Sequence, residues 1–145
     1  MICAILPKDD EAAVEIALWW ENASDKPRWQ YLMPDRERVE LGIENARGVF
    51  YFGHGSPDAW VLNQGTFRLV DTDNIGAAKG ALVIAMACFS GLELARPAID
   101  AGVRAYVGFT RKLYTIKASQ QFISAGAGAI SVLLRGATAQ DSLRN

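Results

Sequence analysis

The chain has 145 residues, enough for one domain with a single core. Half of them are hydrophobic and 21% are charged, which describes an ordinary soluble globular chain and excludes a disordered one. Fifteen basic against 16 acidic residues leave a net charge of −1 with the histidine neutral, so nothing points to nucleic acid or a membrane surface as partner. The single histidine rules out a multi-imidazole metal centre. The two cysteines, 85 positions apart (88 − 3), make neither a disulfide framework nor a zinc cluster. The start of the chain turns acidic at Asp9-Asp10 with no secretory signal, and no apolar run approaches the roughly 18 residues of a membrane span. The expected setting is the cytoplasm, with reduced thiols.

Short apolar runs alternate with amphipathic stretches, the pattern of an α/β sheet with helices on its faces. Ile2 to Leu6 reads as a strand ended by Pro7. Asp9 to Ala23 reads as a helix capped by Asp9 or Asp10, with Ile16 and Trp20 on one face. Arg28 to Met33 carries a weaker strand pattern. Asp35 to Ala46 is expected to be helical, capped by Asp35, with Val39 and Ile43 sharing a face. Gly48 to Phe52 is a strand with His54 just past its end. Ala59 to Val70 reads as a hairpin turning at Asn63-Gln64-Gly65. After a loop over Asp71 to Gly80, Ala81 to Met86 has the continuous apolar character of a central parallel strand. A helix is expected over Gly91 to Ala101 with Gly102 as its stop, then a strand over Ala105 to Phe109. The last full helix runs from about Ala118 to Leu134, with Phe122, Ala129 or Ile130, and Leu133 inward, Gly126 allowing close packing and Gly136 closing it. Thr138 to Asp141 looks like the start of another helix.

Two of the apolar runs end on a reactive side chain among small residues: Val49-Phe50-Tyr51-Phe52-Gly53-His54-Gly55-Ser56 and Ala81-Leu82-Val83-Ile84-Ala85-Met86-Ala87-Cys88-Phe89-Ser90-Gly91. Sites in parallel α/β sheets gather beyond the C-terminal strand ends, so an imidazole and a thiol delivered to neighbouring ends form a cysteine–histidine dyad. Taken singly, Cys88 reads as a small buried hydrophobe and His54 as a turn residue; their shared context argues against both. Gly53 and Gly55 are expected to let the backbone turn sharply and approach a substrate. The N–H groups of Gly55 and Cys88 are the candidate oxyanion donors. A helix following Cys88 would favour its thiolate through the helix dipole. Cys3, inside a strand, reads as plain core.

Strand–His–Gly followed by strand–Ala–Cys–x–Ser–Gly resembles the caspase-like cysteine peptidases (clan CD), most of all the bacterial CHAT group. The segments 102–108 and 133–138 fit that group as well. The resemblance implies a three-layer α-β-α fold with a mostly parallel sheet, spanning residues 1–145 as one peptidase domain, complete or cut short at its C-terminus. It implies hydrolysis of peptide bonds through a Cys88–His54 dyad and a thioacyl-enzyme, without metal or cofactor. It further implies a protein or peptide substrate, an activating partner or sensor domain in bacterial signalling or defence, and pairing into a homodimer as one mode of assembly. The acidic residues after the first strand, Asp9 and Asp10, are substrate-pocket candidates, since that region helps line the primary pocket in that superfamily, although helix capping is the stronger reading of both. Trp60 is a candidate groove wall. The chain departs from animal caspases in reading Met86-Ala87-Cys88-Phe89 and in placing the cysteine 34 residues after the histidine (88 − 54), so aspartate specificity is not implied. A catalytically silent domain that binds a peptide or partner through the same groove is the alternative.

Other motifs fail on their chemistry. Asp71 to Gly76 begins like a calcium loop, but Ile75 and Leu82 stand where oxygen ligands are required. Asp58 occupies the third glycine position of a dinucleotide fingerprint beginning at Gly53, and Leu94 stands where a thiol phosphatase needs arginine.

Overall fold

A computed structural model describes residues 1–112 and 120–136. Five strands form a parallel sheet in the order β2-β1-β3-β7-β8, with β1 at Ile2–Ile5, β2 at Trp29–Tyr31, β3 at Gly48–Phe52, β7 at Leu82–Met86 and β8 at Ala105–Val107. A second, antiparallel sheet contains β4 (His54–Ser56), β5 (Ala59–Leu62) and β6 (Phe67–Asp71). The helices are α1 (Glu11–Glu21), α2 (Arg36–Ile43), α3 (Ala95–Asp100) and α4 (Gln120–Leu134).

Alternation along the central strands divides the core into two faces. Ala4, Phe50, Phe52, Ile84 and Met86 pack against Ile16, Ala17 and Trp20 of α1 and Ile130 and Leu133 of α4. Cys3, Val49, Tyr51, Val83 and Ala85 face Val39 and Ile43 of α2, Ala98 of α3 and the β5–β6 hairpin. The molecule is therefore the expected three-layer α-β-α fold. Trp20 anchors the first face. Its ring lies 5.1 Å from that of Phe50 and meets Trp29 edge-on at 5.4 Å, the geometries that aromatic quadrupoles favour. Gly126 lets α4 sit directly on Trp19, whose ring occupies the place of any side chain there.

Caps settle four of the helix ends. Asp10, rather than Asp9, caps α1 by accepting from the Ala13 amide at 2.9 Å, and Asp35 caps α2 through the Arg38 amide at 3.0 Å. Gly102 and Gly136 stop their helices at φ +100° and +89°. Several boundaries differ from expectation. β2 holds only Trp29–Tyr31, and β8 ends at Val107. α3 begins at Ala95 instead of Gly91, because residues 88–92 are held in turns by the segment after β8. On α4, Ile130 is buried in preference to Ala129. The expected helix start at Ala118, the Phe122 side chain and the helical signal at Thr138–Asp141 lie outside the described residues. Among the described residues, no helix is long and apolar enough to cross a membrane.

Candidate active site

β3 and β7 pair in parallel, with Gly48 opposite Leu82 and Phe52 opposite Met86. His54 and Cys88 thus lie at equal distances past the ends of two adjacent, in-register strands, at the C-terminal edge of the sheet. Both continue the parity of Phe52 and Met86, the residues that face α1. The Gly53 amide still bonds the Met86 carbonyl at 3.3 Å before the chains part. Beyond that point the backbones nearly touch. A Cβ on Gly55 would overlap the Cys88 carbonyl oxygen, stand 2.8 Å from the Ala87 Cβ and 3.3 Å from the Cys88 nitrogen. One on Gly53 would meet the Tyr51 hydroxyl at 2.6 Å. Close approach, with φ outside the left-handed region at both positions, is why glycine stands there.

The histidine does not merely follow β3. It opens β4, paired with Val61, so the β4–β5 hairpin carries it. Its Nε2 lies 2.6 Å from Oδ2 of Asp10. The other carboxylate oxygen of Asp10 caps α1, so a single side chain joins the helix start to the imidazole. The Ala13 amide first, and His54 beyond it, hold the Asp10 carboxyl below its ordinary range. An ionised Asp10 only accepts, which assigns the proton to Nε2 and leaves Nδ1 for other chemistry. Asp9 places a carboxylate oxygen in the same trio, with donor atoms of Asp9, Asp10 and His54 all within 4.8 Å of one another. Its other link is to the hairpin turn, through the Asn63 amide at 3.1 Å. The trio offers oxygen and nitrogen donors of the kind that hold a divalent cation. Both acids are exposed, however, and the facing Asp10 and His54 atoms already share a hydrogen bond, so no metal is assigned.

Cys88 is half-buried at the start of a tight turn. The next residue, Phe89, has φ +57°, a conformation that costs a bulky residue on the order of 1 kcal/mol or more. The turn is clamped by the chain after β8. The Phe89 amide donates to the Arg111 carbonyl at 3.1 Å and the Gly91 amide to the Phe109 carbonyl at 2.8 Å. The wholly buried Ser90 hydroxyl donates to the Ala85 carbonyl at 2.9 Å and accepts from the Phe109 amide at 3.2 Å. Glu93 ties the turn to the histidine hairpin through the Pro57 carbonyl at 2.9 Å. With α3 starting seven residues later, at Ala95, the expected helix-dipole support for a Cys88 thiolate has no structural basis.

Two more sequence expectations need correction. Trp60 is fully buried, stacked on Tyr51 at 4.7 Å with rings 5° apart, so it forms no wall of a groove. Asp10, a substrate-pocket candidate, is turned onto His54, and both it and Asp9 beside it remain exposed. The Asp10–His54 contact spans 44 positions, and the only local signal for it is the helix-cap pattern at Asp10. A cleft of about 820 Å³ lies beside α2, lined by Glu37, Glu40 and Glu44 among others, and includes neither His54 nor Cys88.

No protein-family model matches the chain, and no curated protein sequence does. Among solved structures, the fold matches the crystal structure of the Arg-specific cysteine proteinase gingipain R, with a TM-score of 0.54 and 15% sequence identity. The match covers 94% of this chain and 36% of that one, so the chain spans about a third of the proteinase's length. The chain thus has the caspase-like fold of this proteinase. At such low identity the likeness speaks for architecture alone.

Proposed function

We propose that the protein is a caspase-like cysteine peptidase in which Cys88 is the nucleophile and His54 the general acid–base. The observation that carries the reading is the in-register approach of the β3 and β7 ends, which sets the Gly55 backbone against that of Cys88, together with the Asp10 carboxylate on Nε2 of the imidazole. The fold shared with a cysteine proteinase supports it.

In this reading the Cys88 thiol gives its proton to His54 Nδ1, and the resulting thiolate adds to a peptide carbonyl carbon. The carbonyl oxygen, now anionic, is held by the N–H groups of Gly55 and Cys88, each worth about 3–4 kcal/mol in comparable sites. The C–N bond breaks as His54 Nδ1 gives its proton to the leaving amine, and a thioester to Cys88 remains. Water then attacks the thioester and gives a proton to His54, the C–S bond breaks, and the acid and the free thiolate are released. Asp10 is a positioning residue that holds the ring's orientation and tautomer through Nε2. Asp9, exposed beside the imidazole, is the acid that would favour a basic residue at the cleavage site. The CHAT-like assignment, with an activating partner or sensor domain and a role in bacterial signalling or defence, belongs to the same proposal and rests on the sequence resemblance.

A peptidyl acyloxymethyl ketone ending in arginine tests the reading. Intact-mass and peptide mapping should place one label on Cys88 and none on Cys3, and His54→Ala should slow the labelling about a hundredfold or more. Labelling that is absent, or unchanged in His54→Ala, would make the domain a binding module instead.

A further inference from the structure

We infer that Tyr51, Trp60 and the half-buried Tyr106 form one brace that sets the spacing of the two reacting loops, and that they are positioning residues for the Cys88–His54 pair. The inference rests on the peptidase reading and extends it to residues that touch neither reacting atom. At one end the Tyr51 hydroxyl donates to the carbonyl of His54 itself, at 2.7 Å. At the other the Tyr106 hydroxyl donates at 2.6 Å to the carbonyl of Ser90, two residues beyond Cys88. Trp60 joins the ends. Its ring is stacked on Tyr51, and its indole N–H donates to the Tyr106 oxygen at 3.2 Å. The chain of contacts thus runs from the histidine loop to the cysteine loop without a gap.

Its members come from β3, β5 and β8, and all pack on the face of the sheet opposite α1. The brace therefore lies beneath the site, on the side away from the His54–Asp10 pair. Tyr51 and Trp60 are wholly buried, so water has no ready access to replace the Tyr51 hydroxyl contact. Burial lifts both phenols, that of Tyr106 to about 12, so each remains a donor over the whole working pH range. The Ser90 carbonyl is the lever on the cysteine side. It lies directly after Phe89, whose φ of +57° persists only while its neighbours are held. On the histidine side, the Tyr51 hydroxyl is the group that leaves no room for a side chain on Gly53. A shift at either carbonyl changes the gap between imidazole and sulfur, and a misplacement of about 1 Å is enough to cost on the order of a hundredfold in rate.

The test is the rate of Cys88 alkylation by iodoacetamide between about pH 5 and pH 9, read by mass spectrometry on the Cys88 peptide. The carboxylates that face the imidazole are Asp10 and Asp9. His54→Ala defines the part of the profile that depends on the pair. Tyr51→Phe and Tyr106→Phe each remove one oxygen from opposite ends of the brace. Each should shift the profile toward that of His54→Ala and lower the histidine-dependent rate about tenfold or more, and the double variant should lose little beyond the worse single one. A side chain that only stabilised the core would lower the melting temperature and leave the profile in place. Profiles for both Phe variants that superimpose on the wild type, with His54→Ala still distinct, would overturn the brace and leave the pair standing. A His54→Ala profile identical to wild type would remove the pair and the brace together. If one Phe variant fails to unfold cooperatively, the other, at the far end, decides.

Discussion

Gly55→Ala puts the proposed site under a calculable stress. The added methyl would stand 2.8 Å from the Ala87 Cβ and closer still to the Cys88 carbonyl oxygen, whereas ordinary contact begins at 3.4 Å. The histidine hairpin and the cysteine turn must therefore part by at least 0.6 Å, the difference between 3.4 and 2.8 Å. Little can yield. The obstacles are backbone and a methyl group, and the cysteine turn is pinned by the Phe109 and Arg111 carbonyls at 2.8 and 3.1 Å. Forcing a methyl group into a packed region costs about 1–3 kcal/mol, a fall in melting temperature of roughly 2–12 °C for a domain near this size. The reaction suffers more, because a displacement approaching 1 Å between reacting groups is worth about a hundredfold, or about 2.7 kcal/mol of barrier. The assay compares the labelling rate of Cys88 by the arginyl acyloxymethyl ketone with the melting temperature of the same variant. The expected outcome is a folded protein labelled about a hundredfold more slowly. A Gly55→Ala protein labelled within about twofold of wild type would refute the claim that these two backbones meet across a reactive gap.

Asp10 can be separated into its two roles. Asn caps a helix as well as Asp does, so Asp10→Asn should unfold within about 0.5 kcal/mol of wild type, yet lose about tenfold in labelling rate because a neutral amide no longer fixes the imidazole. Asp10→Ala should lose the cap too, about 1 kcal/mol in denaturant unfolding. Asp71 makes the acid-sensitive joint of the fold. Arg36 first, with Arg68 adding to it, draws its carboxyl down to about 2 from the usual 3.8. Because the folded value is the lower one, the stabilisation is complete above about pH 4 and is lost as pH falls from there toward about 2, about 2 kcal/mol at most. Asp71→Asn should remove that part of the acid slope in urea melts at pH 4 and below; an unchanged slope would show that the ion pairs contribute little.

What the sequence disclosed was largely what strands and caps write locally. The wholly apolar Gly48–Phe52 and Ala81–Met86 runs announce adjacent buried strands, and with them the placing of His54 and Cys88 past neighbouring strand ends. Asn63-Gln64-Gly65 announced its turn with three successive positive φ values. The Asp10–His54 contact is hidden in the sequence because the cap pattern accounts for Asp10 completely, while its second partner arrives from 44 positions away through a strand register. Trp60 was misread for the opposite reason. Its neighbours Ala59, Val61 and Leu62 are apolar in an unbroken run, the signature of a strand buried on both sides, and an indole there belongs to the core. The late start of α3 was illegible because it depends on contacts of Phe89, Ser90 and Gly91 with residues 109 and 111, which no helical periodicity encodes.

The most direct measurement is a search for new N-termini in a bacterial proteome incubated with wild-type protein, Cys88→Ala or His54→Ala. The account predicts a defined set of cleavages with wild type, enriched for a basic residue before the cut and missing with both variants, each of which still unfolds cooperatively. Cleavage that persists when either the thiol or the imidazole is gone, or a wild-type profile no different from that of Cys88→Ala, would contradict it.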